Sequence, residues 1–99
     1  MLLDFIIENR QEILDIFEKY GASNVKIIGS VSRREETSDS DIDFVANLKK
    51  DGNNNLDLQA HTDLIIELKR YFNGRKIELA SHEQIECQYP NALSRGISL

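Results

Sequence analysis

Cysteine occurs once in these 99 residues, at Cys87. A single thiol excludes an internal disulfide and a cysteine-rich zinc site. No run of about 18 apolar residues occurs, so no helical membrane span is expected. Basic residues are the minority: 12 Lys and Arg face 17 Asp and Glu, giving a net charge of −5 and a pI near 4.9. That balance argues against binding to a nucleic-acid backbone, which needs a basic surface. The opening segment carries Asp4 and Glu8 where a secretory leader wants Lys or Arg, so the reducing cytoplasm is the expected location. No internal repeat or linker is visible, and the only biased stretch is Asn53-Asn54-Asn55. What remains is an ordinary globular balance, 40% hydrophobic and 29% charged, of a length that suits one domain over residues 1–99.

Apolar residues at three- and four-residue spacing predict a helix over 3–20, with Lys19 in its last turn and Gly21 as its stop. Val25-Lys26-Ile27-Ile28 reads as a short strand ended by Gly29-Ser30. Residues 31–37 read as a short helix or turn, and Thr37-Ser38-Asp39-Ser40 is rich in turn formers. Residues 41–48 alternate as a second strand, and residues 51–55 form the clearest loop. A second helical stripe runs from Leu56 to Phe72, closed by Asn73-Gly74. Residues 76–80 form a third strand, Ser81 is the N-cap of a last helix, and Pro90 interrupts or ends that helix. Residues 91–99 are left as a tail. This alternation predicts an α/β or α+β layer with helices covering a sheet.

The chemistry concentrates in residues 29–43. Side chains two apart on a strand share a face, so Asp41 and Asp43 project together with Ile42 turned away. Two close carboxylates repel, and desolvation raises the cost. A divalent cation resolves the conflict, and Mg²⁺ favours a few carboxylates completed by phosphate oxygens and water. A strand pair by itself is weak evidence, since such pairs often form only a solvated face. Gly29-Ser30 sharpens it: glycine lets backbone approach a ligand, and the serine hydroxyl with neighbouring amides can hold phosphate. A phosphate cradle one short connection from a carboxylate pair is what transfer from a nucleoside triphosphate requires.

The segment Val-Lys-Ile-Ile-Gly-Ser-Val-Ser-Arg-Arg-Glu-Glu-Thr-Ser-Asp-Ser-Asp-Ile-Asp-Phe-Val, residues 25–45, resembles the signature of the minimal nucleotidyltransferases of the DNA polymerase beta superfamily. The family pattern is Gly-Ser, an Arg-Gly shortly after, then Ser-Asp-x-Asp on the next strand. The resemblance extends to the leading helix ending Tyr20-Gly21-Ala22 and to Gly74-Arg-Lys-Ile-Glu-Leu. It implies the nucleotidyltransferase fold, a small mixed β-sheet with helices packed on one face. It implies that Gly29, Ser30 and Arg33 bind the nucleotide phosphates, and that Asp41 and Asp43 hold Mg²⁺, usually as two ions, with ATP as substrate. Glu78 stands where the family usually has a third acid, an aspartate, tied to activating the attacking hydroxyl, so the resemblance implies that Glu78 joins Asp41 and Asp43 as a metal ligand and completes the catalytic site. Arg34 stands where the family usually has glycine.

Chains of this size resemble the antitoxin halves of HEPN/MNT toxin–antitoxin pairs. Such antitoxins are similar to AMP transferases that modify a tyrosine of a partner HEPN RNase toxin. The resemblance thus implies a Mg²⁺-dependent adenylyltransferase with a HEPN-type toxin as partner; the charge balance and the lack of a long apolar run speak against a nucleic-acid or membrane partner, and self-association is left open. A second function class stays beside it: a binding module with a weakened site that neutralises its partner by contact, motivated by Arg34 and Glu78.

Other features have plainer readings. Arg75 and His82 match the loose Arg-x4–6-His spacing of HEPN ribonucleases, but that motif belongs on a helix and residues 76–80 read as strand. His61 and His82 are far apart in sequence without Cys or His neighbours, which argues against zinc. Cys87 reads as a small buried apolar group. Leu2, Leu3, Phe5 and Ile6 exceed what one helix face needs, and serve the core or a partner interface. Residues 35–43 hold five acids and no base; without them 12 acids face 12 bases, so the rest of the chain is neutral. That local charge would repel a bare triphosphate, so metal must accompany the nucleotide.

Overall fold

The computed structural model describes residues 2–37, 39–89, 91 and 96–99. Ser38 of the turn stretch, Pro90 as helix end and residues 92–95 of the tail lie outside the described residues. The chain runs α1 (Leu2–Glu8), α2 (Arg10–Lys19), β1 (Ser23–Ile28), α3 (Gly29–Ser32), β2 (Ile42–Asn47), α4 (Leu58–Tyr71), β3 (Ile77–Ser81), α5 (His82–Gln88) and β4 (Ile97–Ser98). No helix among the described residues is long and apolar enough to cross a membrane.

The sheet has the order β3-β2-β1-β4. β1 pairs antiparallel with both β2 and β4, whereas β2 and β3 run parallel. A parallel neighbour needs a long crossover, and α4 supplies it. The β1–β2 register shifts between Ser23 and Lys26, where Asn24 takes a positive φ of 53°. One extra residue there is a bulge, and asparagine tolerates the left-handed backbone.

Alternation along β2 decides what each face carries. Ile42, Phe44 and Ala46 enter the main hydrophobic cluster with Ile6, Ile13, Phe17, Leu64 and Leu68 of the helices. Phe17 of α2 meets Phe44 edge-on at 5.2 Å between ring centroids. Asp43 and Val45 occupy the other face by the same period. Val45 and Ile85 are both buried outside the main cluster, and α5 packs on β2 and β3. Val45 is thus covered, while Asp43 stays half-buried near the strand's start.

Four details differ from the sequence reading. The single helix over 3–20 is two helices meeting at Asn9 (φ −107°, ψ 20°). The Asn9 side-chain amide donates to Phe5 O at 2.9 Å, the local competition with helix that asparagine offers. The hydrophobic stripe hid the joint, because Ile6, Ile13 and Phe17 remain on one buried side. α4 begins at Leu58, not Leu56, because the Asp57 side chain caps it by accepting from the Ala60 amide at 3.0 Å. The tail contributes β4, two residues long, with Ile97 opposite Ile27. Cys87 is exposed rather than buried. α5 buries Ile85, and a residue two further on points to the opposite side of the helix. Ser81 caps α5 as expected, accepting from the Gln84 amide at 3.1 Å. Of the opening apolar residues, Leu3 and Ile6 are buried, Leu2 is half-buried and Phe5 is 42% exposed.

Candidate active site

Gly29 sits where β1 turns into the four-residue α3, with φ at +75°. Ile28, the preceding residue, pairs with Asp43 across the antiparallel ladder. A Cβ at Gly29 would fall onto Asp43 Oδ2 and lie 3.2 Å from its Cγ. Glycine is therefore required twice, by the left-handed backbone and by the approach of the carboxylate. No side chain caps the first turn of α3. Ser30 is half-buried, and its carbonyl accepts the amides of Arg33 and Glu35 at 3.2 and 2.9 Å. Ser32 donates its hydroxyl back to Gly29 O at 2.7 Å, closing the turn.

Arg34 follows with φ at +58°, in the left-handed region. The family's usual glycine at this point has a backbone reason, and this chain meets the same turn with a side chain. Arg34 then pairs with Asp4 of α1 at 2.8 Å. Leu2 donates its amide to Glu36 Oε1 at 3.1 Å, so α1 is tied to the segment after α3 at two points. The second oxygen of Glu36 is buried without a hydrogen-bond partner.

Asp41 lies one residue before β2, and the parallel register sets Asp43 beside Glu78. Burial pushes the Asp43 carboxyl up to about 6, helped by Glu78 as charge and hydrogen-bond partner and by the Asp41 charge. The Arg33 guanidinium acts in the opposite direction on Asp43, although its direct partner is Glu35 at 3.3 Å. Asp41, Asp43, Glu78, Gly29 and Arg33 are therefore brought together at one end of the sheet, and Ser30 is next to them in the chain. The Asp41 side chain is 29% exposed and that of Glu78 is 57% exposed.

The fit to a divalent ion is that of a pair. Asp43 is held above its ordinary value by burial first and by the neighbouring Glu78 and Asp41 second, and a cation placed between the acids would favour its charged form. Two carboxylates completed by phosphate oxygens and water suit Mg²⁺. Among the described residues no group of three or more His, Cys, Asp or Glu side chains is gathered so as to hold a metal ion. Glu78 does not complete such a cage; Lys76, which the sequence reading did not single out, stands 3.8 Å from it and 3.7 Å from Asp41. The strand expected over residues 76–80 could have suggested, by an i to i+2 step, that Lys76 shares the face of Glu78.

Cavities open among the described residues at both ends of β2 and β3. One of about 600 Å³ is lined by Leu2, Phe5, Tyr71 and Phe72 and ends at Ser40 and Lys76. The other, about 630 Å³, lies at the far ends of β2 and β3, and both His61 and His82 line it despite their separation in sequence. His82 is engaged there with Asn24 O at 2.7 Å.

A solved structure provisionally named a minimal nucleotidyltransferase is 26% identical, with a TM-score of 0.79 over 98% of this chain and 95% of that one. A toxin–antitoxin crystal structure with AMP-PNP shares the fold at 21% identity and a TM-score of 0.67, covering 91% of this chain and 71% of that one. Curated protein sequences offer no match. The family of nucleotidyltransferase domains matches residues 10–97, nearly the whole chain, with Gly29, Asp41, Asp43 and Glu78 inside the match. This chain belongs to the nucleotidyltransferase domain family, with the fold of its minimal members.

Proposed function

We propose that this protein transfers AMP from ATP to a tyrosine hydroxyl of a partner HEPN RNase toxin in the cytoplasm, and so acts as an antitoxin. The observation that carries the reading is the seating of Asp43 Oδ2 in the space a Gly29 side chain would fill. It joins the phosphate-loop candidate to the carboxylate pair within one contact. The fold shared with a toxin–antitoxin assembly solved with AMP-PNP supports both the nucleotide and the partner class.

Asp41 and Asp43 would hold Mg²⁺, which when bound neutralises phosphate charge. Gly29 and Ser30 hold the β- and γ-phosphates through backbone and hydroxyl, and Arg33 adds a cation beside them. The acceptor oxygen attacks the α-phosphorus, the bond from that phosphorus to the bridging oxygen breaks, and pyrophosphate leaves. Glu78, exposed and beside Asp43, takes the hydroxyl proton. Incubation with labelled ATP, Mg²⁺ and the toxin encoded beside it is expected to label the toxin. Asp41→Ala and Asp43→Ala each reduce labelling by about 10²- to 10³-fold, the scale of losing one group that stabilises transition-state charge. Transfer that survives both substitutions sinks the reading.

A second reading, a binding module with a weakened site, draws on one observation: Glu78 pairs with Lys76 instead of closing a three-acid cage. Full neutralisation of the toxin by the Asp41→Ala, Asp43→Ala double variant would select it.

A further inference from the structure

Lys76 enters the site from the residue before β3, the edge strand of the sheet. Its carbonyl accepts the Ile42 amide at 3.0 Å, which pins its backbone beside the first residue of β2. Its Nζ stands 3.7 Å from Asp41 Oδ2 and 3.8 Å from Glu78 Oε1. Two acids, one before β2 and one on β3, share one ammonium. Both distances exceed a hydrogen bond, so the charge is held by the field of the acids and not by directed bonds. The side chain is 70% exposed and hangs on a flexible four-carbon stem. Such a group is near enough to offset repulsion between the acids and too loosely held to resist a stronger cation.

We propose that Lys76 is a tethered counter-cation of this site, offsetting part of the charge of Asp41 and Glu78 while no divalent metal is bound and displaced when one binds. The inference rests on the reading of Asp41 and Asp43 as divalent-cation ligands. Removing the ammonium then has two effects of opposite sign. The metal-free protein loses the screening of its acids and becomes less stable. The site becomes more negative and binds a divalent ion more tightly. A lysine with a purely structural role would show the first effect alone. One that served the triphosphate would lower nucleotide affinity without raising metal affinity. Because the pair is exposed, the change is that of a surface ion pair, about two- to fivefold in Kd.

Mn²⁺ is the probe, with the free ion counted by electron paramagnetic resonance at low ionic strength and without nucleotide. Lys76→Met is expected to bind Mn²⁺ about two- to fivefold more tightly than the wild type. In chelator it unfolds at a lower temperature, and the gap narrows as Mn²⁺ is added. Lys76→Arg keeps the charge and stays within about twofold of the wild type. Circular dichroism checks the fold, and Lys76→Gln replaces the Met variant if that one does not fold. Equal or weaker Mn²⁺ binding by the neutral variant, beside a wild type that binds, overturns the proposal and leaves the ligand reading standing. If neither binds, or if the Asp41→Asn, Asp43→Asn double variant binds as the wild type does, the ligand reading falls and this inference with it.

Discussion

Burial, with Glu78 and Asp41 close by, holds the Asp43 carboxyl up at about 6, against about 3.9 for a free aspartate. Between those values the folded chain binds more protons at this residue than the unfolded one. Stability from Asp43 is therefore fully present below about pH 4 and is lost as pH rises through about 6. Half-exposure screens the effect, so about 1–2 kcal/mol is at stake. Asp43→Asn removes this contribution to the pH slope. Compared with the wild type in chelator, the variant should gain stability progressively from pH 4 to 7, read by thermal unfolding across that range. A difference that stays flat with pH would show that Asp43 does not titrate near 6. Its partners on either side were unevenly legible. The strand period places Asp41 and Asp43 on one face directly, whereas Glu78 meets Asp43 only because two strands far apart in sequence run in parallel register.

At the scale of elements, the critical joint is β1–α3 against β2. Gly29→Ala places a Cβ on Asp43 Oδ2 and puts a side chain at φ +75°. Backbone strain of this kind costs about 1–3 kcal/mol, and the displaced carboxylate removes transfer activity as well. Paired urea unfolding and transfer assays would show both losses; an Ala variant with wild-type stability would mean that the turn accommodates the side chain. Existence and type of the longer elements follow from periodicity, and their ends from caps such as Ser81. Asn9 and β4 were not legible for different reasons. The joint at Asn9 leaves the hydrophobic stripe continuous, and a two-residue strand is shorter than any pattern can register. Arg34 is a third kind of case: its positive φ is set by the turn, and pairing with Asp4 gives its side chain a role that glycine lacks.

Over the whole molecule, five of 17 acids fall in residues 35–43, and the parallel register sets Glu78 beside Asp43. Arg33, Arg34 and Lys76 pair with Glu35, Asp4 and Asp41 in the same region, so the fold offsets part of that local charge. A bound divalent ion stabilises only the folded state. Mg²⁺ at ten times its Kd should raise Tm by about 5–10 °C for a domain of this size. Monovalent salt at matched ionic strength should give only a small part of that shift. Equal shifts from both salts would reduce the effect to general screening.

What the sequence alone determined is local: the alternation that aligns Asp41 with Asp43, the glycine before a possible helix start, the hydrophobic stripes and the crowding of acids. Each depends on spacing along a few residues, which backbone geometry converts directly into a shared face. What only the tertiary structure decided is non-local. The parallel β2–β3 pairing brings Glu78 and Lys76 to the carboxylates, and the antiparallel β1–β2 pairing brings Gly29 under Asp43. Sheet order and register follow from burying one face of every strand at once, a condition on the whole core that no short stretch of sequence carries.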